Sequence, residues 1–308
     1  MKFNAKILLF GEYAVLYQSD ALVIPFNQFS GELDFINGHS KDLKPKIRSN
    51  EVLNQLFTYL EKAENDSVFF YSFNINQFKT DIKNGLFFNS TIPEGYGIGS
   101  SGALTAAIFS NYHEKVIDNL GKDQWLSLRN TLAFIESYFH GNSSGFDPLV
   151  SYLNKGFYVN GSSVQMYHPD FSIYHPFLID TQKARSTEHF VNIFLNKCID
   201  PEFENIMKTE FLHLNNQCIQ FLRNKDVENF FSSLKELSMF QYQHFEEMIV
   251  PELKTIWMQG LESDDFYLKL CGAGGGGYLL GFAREKAAIQ KLKTEYDFKF
   301  MEIKEHFK

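Results

Sequence analysis

The sequence predicts an α+β protein in two domains. Strand-like runs rich in Leu, Ile, Val and Phe occur in both halves of the chain, helix-length stretches lie between them, and the two do not alternate as a parallel doubly wound sheet requires. The division is expected near residues 165–190, giving domains over 1–175 and 176–308.

Taken in order, residues 5–10 and 21–36 read as strands, broken by Gly11 and Gly31. A helix is expected over 51–63, and strands over Val68–Phe78 and Gly85–Ile92. Helices follow over Ala103–Ile117 and Trp125–His140, the second stopped by Gly141 just past its end. Leu149–Val164 reads as strand and turn pieces. From Pro201 the apolar residues fall at helical spacing, over 201–223, 227–250 and 251–261. A strand over Phe266–Cys271, a glycine run over Gly272–Gly277, a strand over Tyr278–Phe282, a helix over Glu285–Tyr296 and a strand over Phe298–Ile303 complete the chain.

Composition narrows the function. Hydrophobic residues make up 44% of the 308 and charged residues 21%, as in a globular protein with a large core. The net charge of −8, with no basic block, argues against broad nucleic-acid binding. The 33 phenylalanines are spread along the chain and read as core. Met1–Phe10 lacks the apolar length of a secretory signal, and no run is long enough to span a bilayer. Three scattered cysteines point to neither a disulfide framework nor a zinc site. A cytoplasmic protein acting on a small molecule, without nucleic-acid or membrane partners, is expected, as a monomer or homodimer.

The richest stretch is Pro93-Glu94-Gly95-Tyr96-Gly97-Ile98-Gly99-Ser100-Ser101-Gly102-Ala103. Glycines let backbone curl and expose its N–H groups, and a helix starting there turns its positive dipole end toward the loop. That suits a polyphosphate, with serine hydroxyls as further donors or magnesium ligands. Gly97–Gly102 matches G-x-G-x-x-G literally, but it lies far from the amino terminus and no strand–helix series follows. No G-x-x-x-x-G-K-[ST] occurs, which excludes a Walker A loop. There remains a kinase loop in which the helix start and the serines do the phosphate and metal work.

Two more segments sharpen this. Lys6-Ile7-Leu8-Leu9-Phe10-Gly11-Glu12-Tyr13-Ala14-Val15-Leu16 is one, and Glu136 through His140-Gly141, Ser144-Gly145 and Asp147 is the other. With Lys269–Gly277, the chain resembles the GHMP kinases at three separated motifs in order, Lys6–Leu16, Pro93–Ala103 and Lys269–Gly277. Within the family, E-x-x-x-H-G-x-x-S-G-x-D is similar to the mevalonate kinase branch. The chain departs from the family in having Phe3-Asn4-Ala5 before Lys6, Tyr13 where histidine is common, and Phe146-Asp147-Pro148 where Val-Asp-Asn is usual.

The resemblance implies a ribosomal S5 domain 2-like amino-terminal domain, a ferredoxin-like carboxy-terminal one, and ATP and Mg²⁺ as cofactors. It assigns Asp147 and Lys6 to catalysis, and Gly95, Gly97, Gly99, Ser100, Ser101, Gly102 and Ala103 to the nucleotide phosphates. Ser101, Ser100 and Glu136 go to the metal, and Glu12, Gly274 and Gly275 to the substrate. The expected reaction is phosphorylation of mevalonate to 5-phosphomevalonate. Phosphomevalonate, a sugar or homoserine are alternative acceptors, and a catalytically inactive nucleotide-binding protein is a further alternative. Taken singly, each residue also has a plain structural role: Lys6 a solvated charge, Asp147 a turn or cap residue, Glu136 a helix-face carboxylate, His140 a helix terminator.

Overall fold

The computed structural model describes residues 1–37, 43–65, 73–113, 122–161 and 163–304. They form two compact units, each assembled from three pieces of chain. The first comprises 1–6, 25–93 and 99–154; the second comprises 7–24, 94–98 and 155–308.

Strands β1 (Phe3–Phe10), β2 (Ala21–Phe35), β3 (Leu86–Ser90), β4 (Phe157–Asn160) and β5 (Ser163–Met166) form one sheet in the order β1-β2-β4-β5, with β3 also on β2. The second half of β2 pairs antiparallel with β3, Gly31 opposite Ser90 and Phe35 opposite Leu86. Gly31 was expected to break the strand, yet β2 runs through it. Its missing side chain leaves room for the Phe88 ring, which would lie 2.1 Å from any Cβ placed there.

The first unit packs five helices. In α1 (Lys44–Asn65), Leu53, Leu56 and Leu60 are fully buried, one stripe at helical spacing. Asn50 donates to the carbonyls of Ile82 and Leu86, tying α1 to the turn before β3. Residues 75–78, expected as strand, open α2 (Ile75–Lys83) instead. Asn74 caps it by accepting from the Gln77 amide, and Phe78 and Ile82 fall on its inner face. Residues 68–72 of the expected strand, and 114–117 of the helix expected to reach Ile117, lie outside the described residues. The central helix α3 (Ser100–Tyr112) is buried from Gly102 to Phe109, so apolar residues surround it on every side. Helix α4 (Lys122–His140) ends at Gly141, whose φ of 71° closes it in the left-handed region. Phe146–Leu153, read in part as strand, is α5, with Gly145 as N-cap and Pro148 in the first turn, where a missing N–H costs nothing.

The second unit holds β6 (Pro176–Asp180), β7 (Phe266–Leu270), β8 (Tyr278–Ala283) and β9 (Lys299–Glu302), in the order β7-β8-β6-β9. Every pairing is antiparallel, with Leu178 between Leu280 and Met301. Its helices are α6 (Thr187–Lys197), α7 (Pro201–Ile206), α8 (Leu212–Asn224), α9 (Val227–His244), α10 (Lys254–Ser263) and α11 (Lys286–Glu295). A π-helical turn over Met207–Phe211 joins α7 to α8. Phenylalanines build the core: Phe10 stacks on Phe282 at 5.7 Å and meets Phe230 edge-on at 6.1 Å. No helix among the described residues is long and apolar enough to cross a membrane.

Candidate active site

Two clusters of polar residues stand out, one in each unit. In the first unit, α3 begins at Gly99, whose φ of 80° turns the chain into the helix. As a glycine it supplies no capping side chain, so the first amides of α3 are left for another acceptor. A Cβ on Gly99 would sit 2.7 Å from Lys6 Cγ, so the glycine lets the Lys6 side chain cross the helix start. Gly102 does the same for α5: a Cβ there would meet the Asp147 backbone at 2.9 Å.

These two close approaches bring Lys6 and Asp147 together. Lys6 Nζ lies 2.9 Å from Asp147 Oδ2, with the lysine side chain 9% exposed and the aspartate 35% exposed. Asp147 sits in the first turn of α5, where the helix dipole favours a negative charge. The lysine is thus held inside while one carboxylate beside it faces outward.

Glu136, near the end of α4, is buried at 4% exposure. Its Oε1 accepts from Ser101 Oγ (3.1 Å) and its Oε2 from Ser143 Oγ (2.5 Å). Ser101 Oγ also lies 2.9 Å from His140 Nε2. Burial, and then the charge of Asp147, push the Glu136 carboxyl up to about 7, against the pull of the two hydroxyls and Lys6. Partial burial of its ring holds His140 below the usual histidine value. No group of three or more His, Cys, Asp and Glu side chains gathers into a metal cluster among the described residues. Glu136 and Ser101 offer carboxylate and hydroxyl oxygens, with a negative charge that burial leaves undercompensated. They fit Mg²⁺, which takes hard oxygen ligands, is commonly held by one or two carboxylates and keeps waters and phosphate oxygens for the rest.

In the second unit, Glu12 follows β1 and is 3% exposed. Its Oε2 lies 2.8 Å from Lys269 Nζ, and its Oε1 accepts from the Gly272 amide at 3.4 Å. Burial raises the Glu12 pKa, and Lys269 is the main force holding it down. Arg185 donates to the carbonyls of Gly274 (3.0 Å) and Cys271 (3.3 Å), and its amide donates to Gly95 O. Its Nε is buried without a hydrogen-bond partner. Desolvation lowers its pKa. Tyr13, which replaces the common histidine, stacks on Phe194 at 4.2 Å and donates to Ala273 O at 2.7 Å.

Residues 56–155 match the family model described as the GHMP kinases N terminal domain. No curated protein sequence matches the chain. Among solved structures, mevalonate kinase of L. major in complex with R-mevalonate is similar at 18% identity, covering 98% of this chain and 94% of that one, with a TM-score of 0.64. Mevalonate kinase of Methanococcus jannaschii is similar at 19% identity, covering 98% and 96%, with a TM-score of 0.64. Phosphomevalonate kinase of Streptococcus pneumoniae, in complex with phosphomevalonate and AMPPNP, is similar at 14% identity, covering 98% and 99%, with a TM-score of 0.62. Residues 56–155 thus match a GHMP kinase N-terminal domain, and the fold is similar to that of these solved kinases.

The first unit gathers Lys6, Gly99, Ser101, Gly102, Glu136 and Asp147. Ser100 and Ala103 lie in the first turn of α3, and of the two serines it is Ser101 that reaches Glu136. The second unit holds Gly95 and Gly97, both with positive φ, together with Glu12, Gly274 and Gly275. The Gly275 amide already donates to Met248 O, and the Gly274 carbonyl already accepts from Arg185. Sequence reasoning gave no role to Ser143, Lys269 or Arg185. The one sequence signal for Lys269 is its place at the head of the third motif. Ser143 carries none, since Gly141–Gly145 are all polar or small and leave open which hydroxyl reaches Glu136.

Proposed function

We propose that this chain is an ATP- and Mg²⁺-dependent cytoplasmic kinase that phosphorylates a hydroxyl of mevalonate, forming 5-phosphomevalonate. The observation that carries the reading is the Lys6–Asp147 pair, 2.9 Å apart beside the uncapped start of α3. Phosphoryl transfer asks mainly for positioning and charge stabilisation, and these residues supply both. The α3 amides and the glycines of Gly95–Gly102 would hold the nucleotide phosphates. Glu136 and Ser101 would hold Mg²⁺, which neutralises phosphate charge when bound. Asp147 orients the acceptor hydroxyl and takes its proton as the oxygen attacks. Lys6 stabilises the negative charge on Asp147 and on the acceptor oxygen. Glu12, Gly274 and Gly275 go to the acceptor on the strength of the family motifs, and Arg185, bound to the same loop, adds a cation suited to an acid acceptor.

A second reading takes phosphomevalonate as the acceptor. Ser144-Gly145-Phe146-Asp147 favours it, since phosphomevalonate kinases also show this run, and an arginine with an unpartnered buried N–H suits a more highly charged acid. The test is coupled ADP release with mevalonate, phosphomevalonate, homoserine and galactose. Turnover is expected with mevalonate, and Asp147→Asn should lower kcat by about 10²–10⁴-fold. Turnover with phosphomevalonate alone selects the second reading. Turnover with none of the four sinks both, and an Asp147→Asn enzyme at near-full rate sinks the mechanism.

A further inference from the structure

Ser143 has a single proton to donate and lone pairs to accept with, and the structure uses both. Its Oγ donates to Glu136 Oε2 at 2.5 Å and accepts from the Gly145 amide at 3.0 Å. Gly145 is the N-cap of α5 and is itself wedged in place: a Cβ there would lie 2.4 Å from the Arg129 carbonyl of α4. Two residues on stands Asp147. The other Glu136 oxygen accepts from Ser101 Oγ, which spends its own proton there. His140 Nε2, 2.9 Å from Ser101 Oγ, is then the donor of that contact.

We propose that Ser143 is a positioning residue that fixes the rotation of the Glu136 carboxylate, so that Oε1 faces Ser101, and ties that carboxylate to the α5 start that carries Asp147. A carboxylate on a helix side chain turns freely about its last bond unless both oxygens are held. Ser101 holds one oxygen and Ser143 the other, through a charge-assisted hydrogen bond anchored to backbone. The hydroxyl acts through Glu136 and needs no contact with a substrate. The proposal rests on the reading of Glu136 and Ser101 as Mg²⁺ ligands.

The test compares Ser143→Ala and Ser143→Thr with the wild type. Mn²⁺ binding is titrated by EPR in the presence of a non-hydrolysable ATP analogue, alongside the Mg²⁺ dependence of ADP release. Loss of an outer partner of a metal ligand costs 10–100-fold in metal affinity or activity. Ser143→Ala should therefore weaken Mn²⁺ binding by about tenfold or more and raise the Mg²⁺ needed for half-maximal rate in step, with acceptor KM within twofold of wild type. Ser143→Thr, which keeps the hydroxyl, should restore both. Wild-type Mn²⁺ affinity in Ser143→Ala, or a folded Ser143→Thr as weak as the alanine variant, overturns the proposal even where the wild type turns over mevalonate. A Ser143-dependent Mn²⁺ affinity in a wild type that phosphorylates none of the acceptors supports the proposal and refutes the acceptor reading alone. A wild type that binds no Mn²⁺ with the nucleotide analogue overturns both.

Discussion

Replacing Lys269 by methionine removes a charge from one of the driest places in the second unit. The side chains of Lys269 and Glu12 are 1% and 2% exposed, and Nζ lies 2.8 Å from Oε2. Lys269 also donates to Leu270 O at 2.7 Å and lies 5.3 Å from the centre of the Phe10 ring. Methionine fills much of the same space, so the cavity term is small and the electrostatic one dominates. Glu12 keeps only backbone donors, the Gly272 amide at 3.4 Å and its own amide, for a carboxylate shut away from water. Breaking one side of a buried pair costs about 3–5 kcal/mol, because the other charge stays desolvated. The cost should shrink as pH falls, since burial already raises the Glu12 pKa and the stranded carboxyl can take a proton. Adding Glu12→Gln should recover all but about 1 kcal/mol, because a neutral amide removes the stranded charge. Urea melts followed by Trp257 fluorescence read this directly. Trp257 is fully buried in α10 of the same unit, and a Trp125→Phe background silences the tryptophan of the other. A Lys269→Met cost below about 1 kcal/mol, or a double variant no more stable than the single one, would refute the view that this pair is mutually compensated.

Gly99→Ala and Gly161→Ala impose the same backbone strain, with φ of 80° and 52°, but differ in their surroundings. Each should lose about 1–2 kcal/mol of stability in chemical melts. Only Gly99→Ala pushes Lys6 aside, since nothing lies within 4 Å of a Cβ on Gly161. Its kcat should fall by about 10²-fold while Gly161→Ala keeps its rate, and equal rates would count against the close approach at Lys6. At His168, burial and then Lys155 hold the pKa below the usual histidine value. Below pH ~6.5 the unfolded chain takes up a proton that the folded chain refuses, so stability falls as pH falls through that range. His168→Gln lacks this penalty and should gain melting temperature relative to wild type between pH 8 and pH 5.5; a pH-independent difference would show that His168 titrates alike in both states.

Elements with one clear period were legible in the sequence, and short ones inside mixed composition were not. The α3 and α4 helices and the strands flanking Gly272–Gly277 lie close to where apolar spacing puts them. Residues 75–78 read as strand because they continue a run of β-type residues. The apolar positions Ile75, Phe78 and Ile82, with Asn74 as cap, were the helix signal. The α5 helix carries Phe, Val and Tyr, which favour strands, and its start shows only in Gly145 and Pro148. β6 is a five-residue strand that opens on Pro176 and carries three apolar residues, Phe177–Ile179, too few to declare itself, yet it lies between β8 and β9. At the site, motif spacing singled out Lys6, Glu136 and Asp147. Spacing is blind to what each side chain leans on, which is why the Ser143 and Lys269 contacts needed coordinates.

Because each unit is stitched from three pieces of chain, neither is built from one uninterrupted stretch as a ribosome delivers it. The first unit closes once residue 154 has emerged, but residues 7–24 are by then already made and belong with 155–308. Glu12 must therefore wait, charged and hydrated, while some 260 residues are added before the Gly272 amide arrives to receive it. Contacts so distant in sequence make for slow closure of the second unit and a nascent chain that exposes Phe10 for most of its synthesis.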